Sequence, residues 1–303
     1  MRYDRYALVL HAESSARPFD EILWLTVLHR IHSLNNPQLK RLKRLHRVRS
    51  DQREFLLEGT HLVTEAIASK WRLEAIYMTD AWLATHPQHL EHVPEDVEQY
   101  AVDSRWLAQA ATTEHPDGIL AVARLVQDKT PPFSEDPHNW RLTIALDGVQ
   151  DPGNAGTILR VAVATGVDRV FLSPDSVNPI HPKFLRSTAG QWFRSPPRAV
   201  AMGELIPFAK RMGVRVLAAS LQGDAIWNID LTVPTLFLLG NEGSGVRPET
   251  QRLADGACTV PMVAGVESLN VATAGTILLY EAMRQRRRPS HPPRGAASPP
   301  VAG

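Results

Sequence analysis

Four short apolar runs, at 142–146, 170–172, 214–218 and 236–239, are separated by stretches whose apolar residues follow a helical period. Strands that alternate with helices rejoin through right-handed crossovers, so they pair in parallel and are covered by helices on both faces. This alternation confines the C-terminal half of the chain to an α/β fold with a mostly parallel sheet. It also says where chemistry can sit, because ligands of such sheets bind beyond the carboxyl ends of the strands.

The N-terminal half alternates on a smaller scale. Apolar runs at 55–57, 75–78, 97–102 and 119–123 read as strands. Helical patterns cover 61–69, with Thr60 as the expected cap, and 104–111, opened by Ser104. Together they predict a small α/β domain over 31–124, and a chain of 303 residues has the length of two domains. Residues 125–140, with Pro131, Pro132 and Pro137, read as a linker to a second domain at 141–288, which ends in a long helix over 270–287. Residues 1–30 show no period and are expected to be a poorly ordered extension with at most a turn or two of helix. The tail at 289–303 is rich in Pro, Ala, Ser and Gly and is expected to be disordered.

A formal net charge of +1 excludes a polycation, so any nucleic acid must be held by a local patch. One patch stands out. Lys40, Arg41, Lys43, Arg44, Arg47 and Arg49 crowd a segment without an acid, while Leu39, Leu42, Leu45 and Val48 recur every three residues. This predicts a basic amphipathic helix whose polar face is either solvated or laid on phosphates. The single cysteine, Cys258, excludes an internal disulfide. No apolar run is long enough to span a membrane, and Asp20 and Glu21 precede the short run at 22–28 where a signal peptide would carry basic residues. A cytoplasmic protein is expected. His86, His89 and His92 lie among prolines without a second ligand cluster and read as loop histidines, so no metal is expected.

Three loops carry candidate chemistry. The first is Asp147-Gly-Val-Gln-Asp-Pro-Gly-Asn-Ala-Gly-Thr-Ile-Leu-Arg160. A strand ends, a helix begins near Asn154, and Arg160 follows within two turns. The helix start offers N–H groups to an anion and Arg160 offers a rigid fork of donors, although a plain cap and a solvated arginine fit equally well. The second is Leu239-Gly-Asn-Glu-Gly-Ser-Gly-Val246, with Glu242 as its one charge. It lacks the Gly-Lys-Ser/Thr ending of a Walker loop, and Pro248 stands where a dinucleotide fingerprint needs glycine. The third, Val260-Pro-Met-Val-Ala-Gly-Val-Glu-Ser-Leu-Asn-Val271, gathers Glu267, Ser268 and Asn270 before the final helix, where capping alone would account for them.

In this order and at these spacings the three loops resemble the motifs of the SpoU (TrmH-type) RNA ribose 2′-O-methyltransferases of the SPOUT superfamily. The segment Asn178-Pro-Ile-His-Pro-Lys-Phe-Leu-Arg-Ser-Thr-Ala-Gly190 resembles a further family loop, with Thr188 and Ala189 as mild departures. The likeness covers 141–288 closely; 31–124 resembles, more loosely, the RNA-binding domain many members carry. It implies a C-terminal trefoil knot, which no periodicity reveals. It implies S-adenosylmethionine as cofactor, held by Gly240, Val260, Met262 and Leu269. It implies Arg160 as the main catalytic residue, with Asn154, Glu242, Ser268 and Asn270 organising the site. Whether Arg160 takes the proton or orients the substrate for another acceptor stays open, since an arginine remains protonated. RNA contacts are expected from Lys40, Arg41, Lys43, Arg44, Arg47, Lys183 and Arg186. The resemblance further implies a homodimer, to which Ile277, Leu278 and Tyr280 are candidate contacts, and an RNA substrate, ribosomal before transfer RNA. The rival is a silent RNA-binding protein of the same fold.

Overall fold

The computed structural model describes residues 5–8, 26–47, 52–125, 133 and 136–287. The small domain runs β1 (Arg5–Leu8), β2 (Thr26–Arg30), α1 (Pro37–Arg44), β3 (Glu54–Glu58), α2 (Thr60–Ala68), β4 (Leu73–Met78), α3 (Asp80–Thr85), β5 (Glu98–Ala101), α4 (Ser104–Ala110) and β6 (Ile119–Arg124). Its sheet has the order β1-β2-β5-β4-β6-β3 and is mixed. β2, β5 and β4 are parallel, while β1, β6 and β3 join antiparallel. The two strands before residue 31 depart from the expected extension. β2 is five residues long, too short to show a period, and it exists because the edge of β5 offers it a ladder.

Three local readings are also amended. α1 ends at Arg44, and Val48 and Arg49 lie outside the described residues. Thr60 opens α2 instead of capping it: Gly59, at φ 97°, holds the cap position, and the Asp117 carboxylate accepts the Thr60 N–H at 2.9 Å. The segment around His86 forms α3 and a following turn, and the His86 ring stacks on Trp82 at 4.9 Å.

The second domain runs β7 (Leu142–Asp147), α5 (Pro152–Ala164), β8 (Arg169–Leu172), α6 (Pro182–Ser187), β9 (Arg198–Ala199), α7 (Met202–Arg211), β10 (Arg215–Ala225), β11 (Thr235–Gly240), α8 (Pro248–Leu253), β12 (Gly256–Thr259) and α9 (Val271–Arg286). The strand order is β12-β10-β11-β7-β8-β9, and every pair is parallel, as the alternation requires. All six residues of β7 and of β11 are buried, which is why those strands are mostly apolar, with Thr143, Asp147 and Thr235 as buried polar exceptions. Gly240 is in register with Asp147, so the loops after β11 and β7 leave the sheet side by side. α9 packs against α5 and β11. A methyl group on Gly275 would stand 2.7 Å from Leu239 Cδ1, so a side chain there would require the Leu239 side chain to shift.

The predicted linker is anchored at its end. Phe133 stacks on Phe208 at 4.7 Å, and the buried Trp140 stacks on Phe171. The predicted tail lies outside the described residues. The two domains share a core: Trp192, just after α6, meets Phe55 of β3 at 5.3 Å and Trp71 at 4.9 Å.

Candidate functional site

The start of α5 differs from expectation in a way that matters. Asp151, not Asn154, caps the helix, its Oδ1 accepting the Asn154 N–H at 2.9 Å. The Asn154 side chain is thereby released from capping. Its Nδ2 donates to Glu242 Oε1 at 3.0 Å, and its Oδ1 accepts from Asn270 Nδ2 at 2.9 Å. Asn270 in turn caps α9, its Oδ1 accepting the Ala272 N–H at 2.8 Å. Each of the three loops thus supplies one member of a single hydrogen-bonded chain, and the loops at 240 and 265 lie on the same side of the sheet.

Glu242 also accepts the Asp151 N–H at 3.2 Å. Burial works against its charge, but the Asn154 amide and main-chain N–H groups outweigh it and hold the carboxyl below the usual range. The second loop is tight. Asn241 and Gly245 exchange main-chain hydrogen bonds at 2.9 Å, and Asn241 Nδ2 donates to Gly148 O at 2.9 Å. A methyl group on Gly240 would fall on the Gly245–Val246 peptide, so only glycine fits there. Arg247 donates to the fully buried Asp147 carboxylate, pinning the far end of the loop to β7.

Arg160 lies in a cleft of about 570 Å³ between α5 and α9. Asn154, Thr157 and Arg160 face it from α5, and Asn270, Thr273 and Thr276 from the α9 side. Among the described residues Arg160 makes no hydrogen bond or ion pair, so its donor fork is free. Sequence reasoning missed the threonines, although their spacing of three from Arg160 and from each other was visible. It missed the Asp147–Arg247 pair altogether, because the partners are a hundred residues apart.

The other expected residues divide. Ser268 is exposed and makes no hydrogen bond among the described residues. Gly240 is buried, and Val260, Met262 and Leu269 are half-buried in the second and third loops. From Pro261 to Leu269 the described main chain makes one hydrogen bond, Val266 N–H to Val263 O at 3.3 Å. A run of unpaired main-chain donors and acceptors beside half-buried apolar side chains fits an adenosine bound through backbone edges. Lys40, Lys43 and Arg44 are exposed on the outer side of α1, with Leu39 and Leu42 buried beneath, and Arg47 is exposed just after the helix. Arg41 is instead paired with Glu54, at 2.9 and 3.1 Å. Lys183 reaches Asp151 at 3.5 Å. Arg186 is paired with Glu58 at 2.8 Å across the domain junction. Of the candidate dimer contacts, Leu278 is core, whereas Ile277 and Tyr280 are exposed at 37% and 60%.

A model of the SpoU rRNA Methylase family matches residues 141–280, and one of the MRM3-like substrate binding domain matches 36–121. An uncharacterized tRNA/rRNA methyltransferase of Synechocystis is 37% identical over 86% of this chain and 96% of its own length. The 23S rRNA (guanosine(2553)-2′-O)-methyltransferase of Bacillus subtilis is 32% identical over 84% of this chain and 98% of its own. The S-adenosylmethionine-bound rRNA methyltransferase of Sinorhizobium meliloti superposes with a TM-score of 0.75 at 27% identity, over 86% of this chain and 99% of that one. The class so defined is that of the S-adenosylmethionine-dependent RNA 2′-O-methyltransferases. Within it, the chain belongs to the SpoU rRNA methylase family.

Proposed function

We propose that the chain methylates a ribose 2′-hydroxyl of ribosomal RNA and that Arg160, Asn154, Glu242, Ser268 and Asn270 serve that step. The observation that carries this reading is the Glu242–Asn154–Asn270 chain beside an unpaired Arg160. Bound S-adenosylmethionine supplies an electrophilic methyl group, and Gly240, Val260, Met262 and Leu269 would hold it. The residues of the chain do the positioning. Arg160 presents a planar fork that binds a phosphate or ribose edge and orients the nucleotide. Asn154 ties the two cofactor loops to the helix carrying Arg160, so donor and acceptor are held in one frame. Such alignment accounts for a large part of a transfer barrier, up to about 7–11 kcal/mol in favourable cases.

Ribosomal RNA is favoured because the Bacillus subtilis relative, named for methylation of 23S rRNA, matches across both domains. The exposed Lys40, Lys43, Arg44 and Arg47 supply the phosphate contacts in this reading. Tyr280, Ile277 and the exposed Val263 and Val266 support a homodimer, which light scattering in solution checks. The return of the chain from the edge strand β12 to α9, packed on α5 and β11, is consistent with the knot that the resemblance implies. Among the described residues no helix is long and apolar enough to cross a membrane, and a cytoplasmic enzyme is proposed. Incubating the protein with labelled S-adenosylmethionine and separate ribosomal and transfer RNA fractions is the test. Label in ribosomal RNA at alkali-resistant linkages is the expected result. Label in transfer RNA alone would reassign the substrate, and label in neither would favour a silent binding protein.

A further inference from the structure

Glu58 ends β3 with 3% of its surface exposed. A carboxylate so buried needs partners to stay charged, and it has an unusual set. Thr112 and Thr113 donate from both main chain and hydroxyl, and Arg186 donates from Nη1 at 2.8 Å. The same Nη1 reaches Thr112 Oγ1 at 2.6 Å. Burial opposes the charge, yet the threonine donors and Arg186 prevail and hold the Glu58 carboxyl below the usual range. Arg186 is the one member that comes from the other domain.

Helix α6, which carries Arg186, has two working sides. Next to Arg186, Ser187 faces the opposite way. Its hydroxyl is shared between Pro152 O at 2.8 Å and Phe184 O at 2.7 Å, its side chain fills the space left by Gly156, and it lines the cleft. One turn earlier Lys183 reaches Asp151, the cap of α5. The same short helix therefore grips the small domain with one residue and the start of the catalytic helix with its neighbours. The aromatic contacts of Trp192 with Phe55 and Trp71 add adhesion but little direction. A guanidinium between a buried carboxylate and a threonine hydroxyl is directional.

We propose that Arg186 is a positioning residue: clasped by Glu58, it fixes the orientation of the RNA-facing small domain relative to the methyl-transfer cleft. The inference rests on the proposed reading of the chain as an RNA methyltransferase. It replaces the expectation that Arg186 itself contacts RNA.

The test is a double-mutant cycle on the full chain with Arg186→Gln, Glu58→Gln and the pair. With the RNA that the wild-type chain methylates, each single substitution is expected to lower kcat about tenfold. S-adenosylmethionine affinity and the salt dependence of RNA binding stay unchanged. The double variant is no worse than the worse single one, because both remove one interaction. Arg186→Lys restores part of kcat. The proposal is overturned if Glu58→Gln keeps full kcat while Arg186→Gln weakens RNA binding and lowers its salt slope by about one, the mark of a phosphate contact. Effects that multiply in the double variant also overturn it. Should Glu58→Gln fail to fold, Thr113→Val removes one donor and must lower kcat in the same direction. A second readout needs no activity. Spin labels on cysteines introduced at the exposed Lys43 and Glu204 should give one narrow distance distribution that broadens in Glu58→Gln. An unbroadened distribution refutes the clasp, whereas a wild-type chain that labels no RNA refutes only the functional reading.

Discussion

The sheet of the small domain and the cleft between α5 and α9 hold their arginines differently. In the small domain Arg30 forks onto Asp80 at 2.8 and 2.9 Å, Arg41 pairs with Glu54, and Arg124 pairs with Glu74 at 2.7 Å. In the parallel-sheet domain Arg160 stands in a cleft of amides and hydroxyls and has no partner among the described residues. A guanidinium already matched by a carboxylate is neutralised toward phosphate, and freeing it means breaking charge-assisted hydrogen bonds. A basic residue count therefore says little about where nucleic acid binds. The division is between paired arginines, which hold elements together, and unpaired ones, which are available to a substrate.

The largest expected effect comes from deleting the free arginine. Arg160→Ala should lower methyl transfer by about 10²-fold or more while calorimetry finds S-adenosylmethionine binding intact. Loss of cofactor binding as well would mean that the side chain supports the loops. On the paired side, Glu58→Ala strands Arg186 at the junction and should cost about 3 kcal/mol of stability, read as a lower unfolding midpoint. The more exposed Arg41–Glu54 pair should cost under about 1 kcal/mol when Arg41 becomes Gln. Equal costs would erase the contrast between the two pairs.

A smaller effect separates the basic residues of α1 and of the turn that follows it. Changing Lys40, Lys43, Arg44 and Arg47 together to Gln should flatten the salt dependence of RNA binding by about one unit per lost contact. Arg41→Gln should leave that slope alone, and a slope that follows Arg41 instead would reverse the assignment. The smallest effect is on acidification. Glu58 and Glu242 both titrate lower in the folded chain than the unfolded value of about 4.3. Their contribution is therefore complete at neutral pH and is lost as pH falls from about 5 through their depressed values. Chemical unfolding between pH 7 and pH 3 should show falling stability, and Glu58→Gln should reduce that slope.

Much of this was legible beforehand, and the reason is locality. The buried runs of β7 and β11, the capping Asn270 and the glycine at 240 are each readable from a few neighbours. β2 was illegible because five residues carry no period and the strand depends on β5 for its hydrogen bonds. Whether Asn154 caps α5 or serves the site stays open in the sequence, since Asp151 and Asn154 are both good caps and only the chain's path selects between them. The pairing of Arg186 with Glu58 was illegible because the two lie 128 residues apart.

The sequence by itself determined the alternation of strands and helices, the carboxyl-edge placement of the loops and the chemical types on offer, because period and backbone preference are local properties. Tertiary structure alone decided that Asn154 joins Glu242 to Asn270, that Arg160 stays free, and that Arg41 and Arg186 do not. Whether a charged group is paired depends on what the fold brings within about 3 Å of it, and that distance is not written in spacing along the chain.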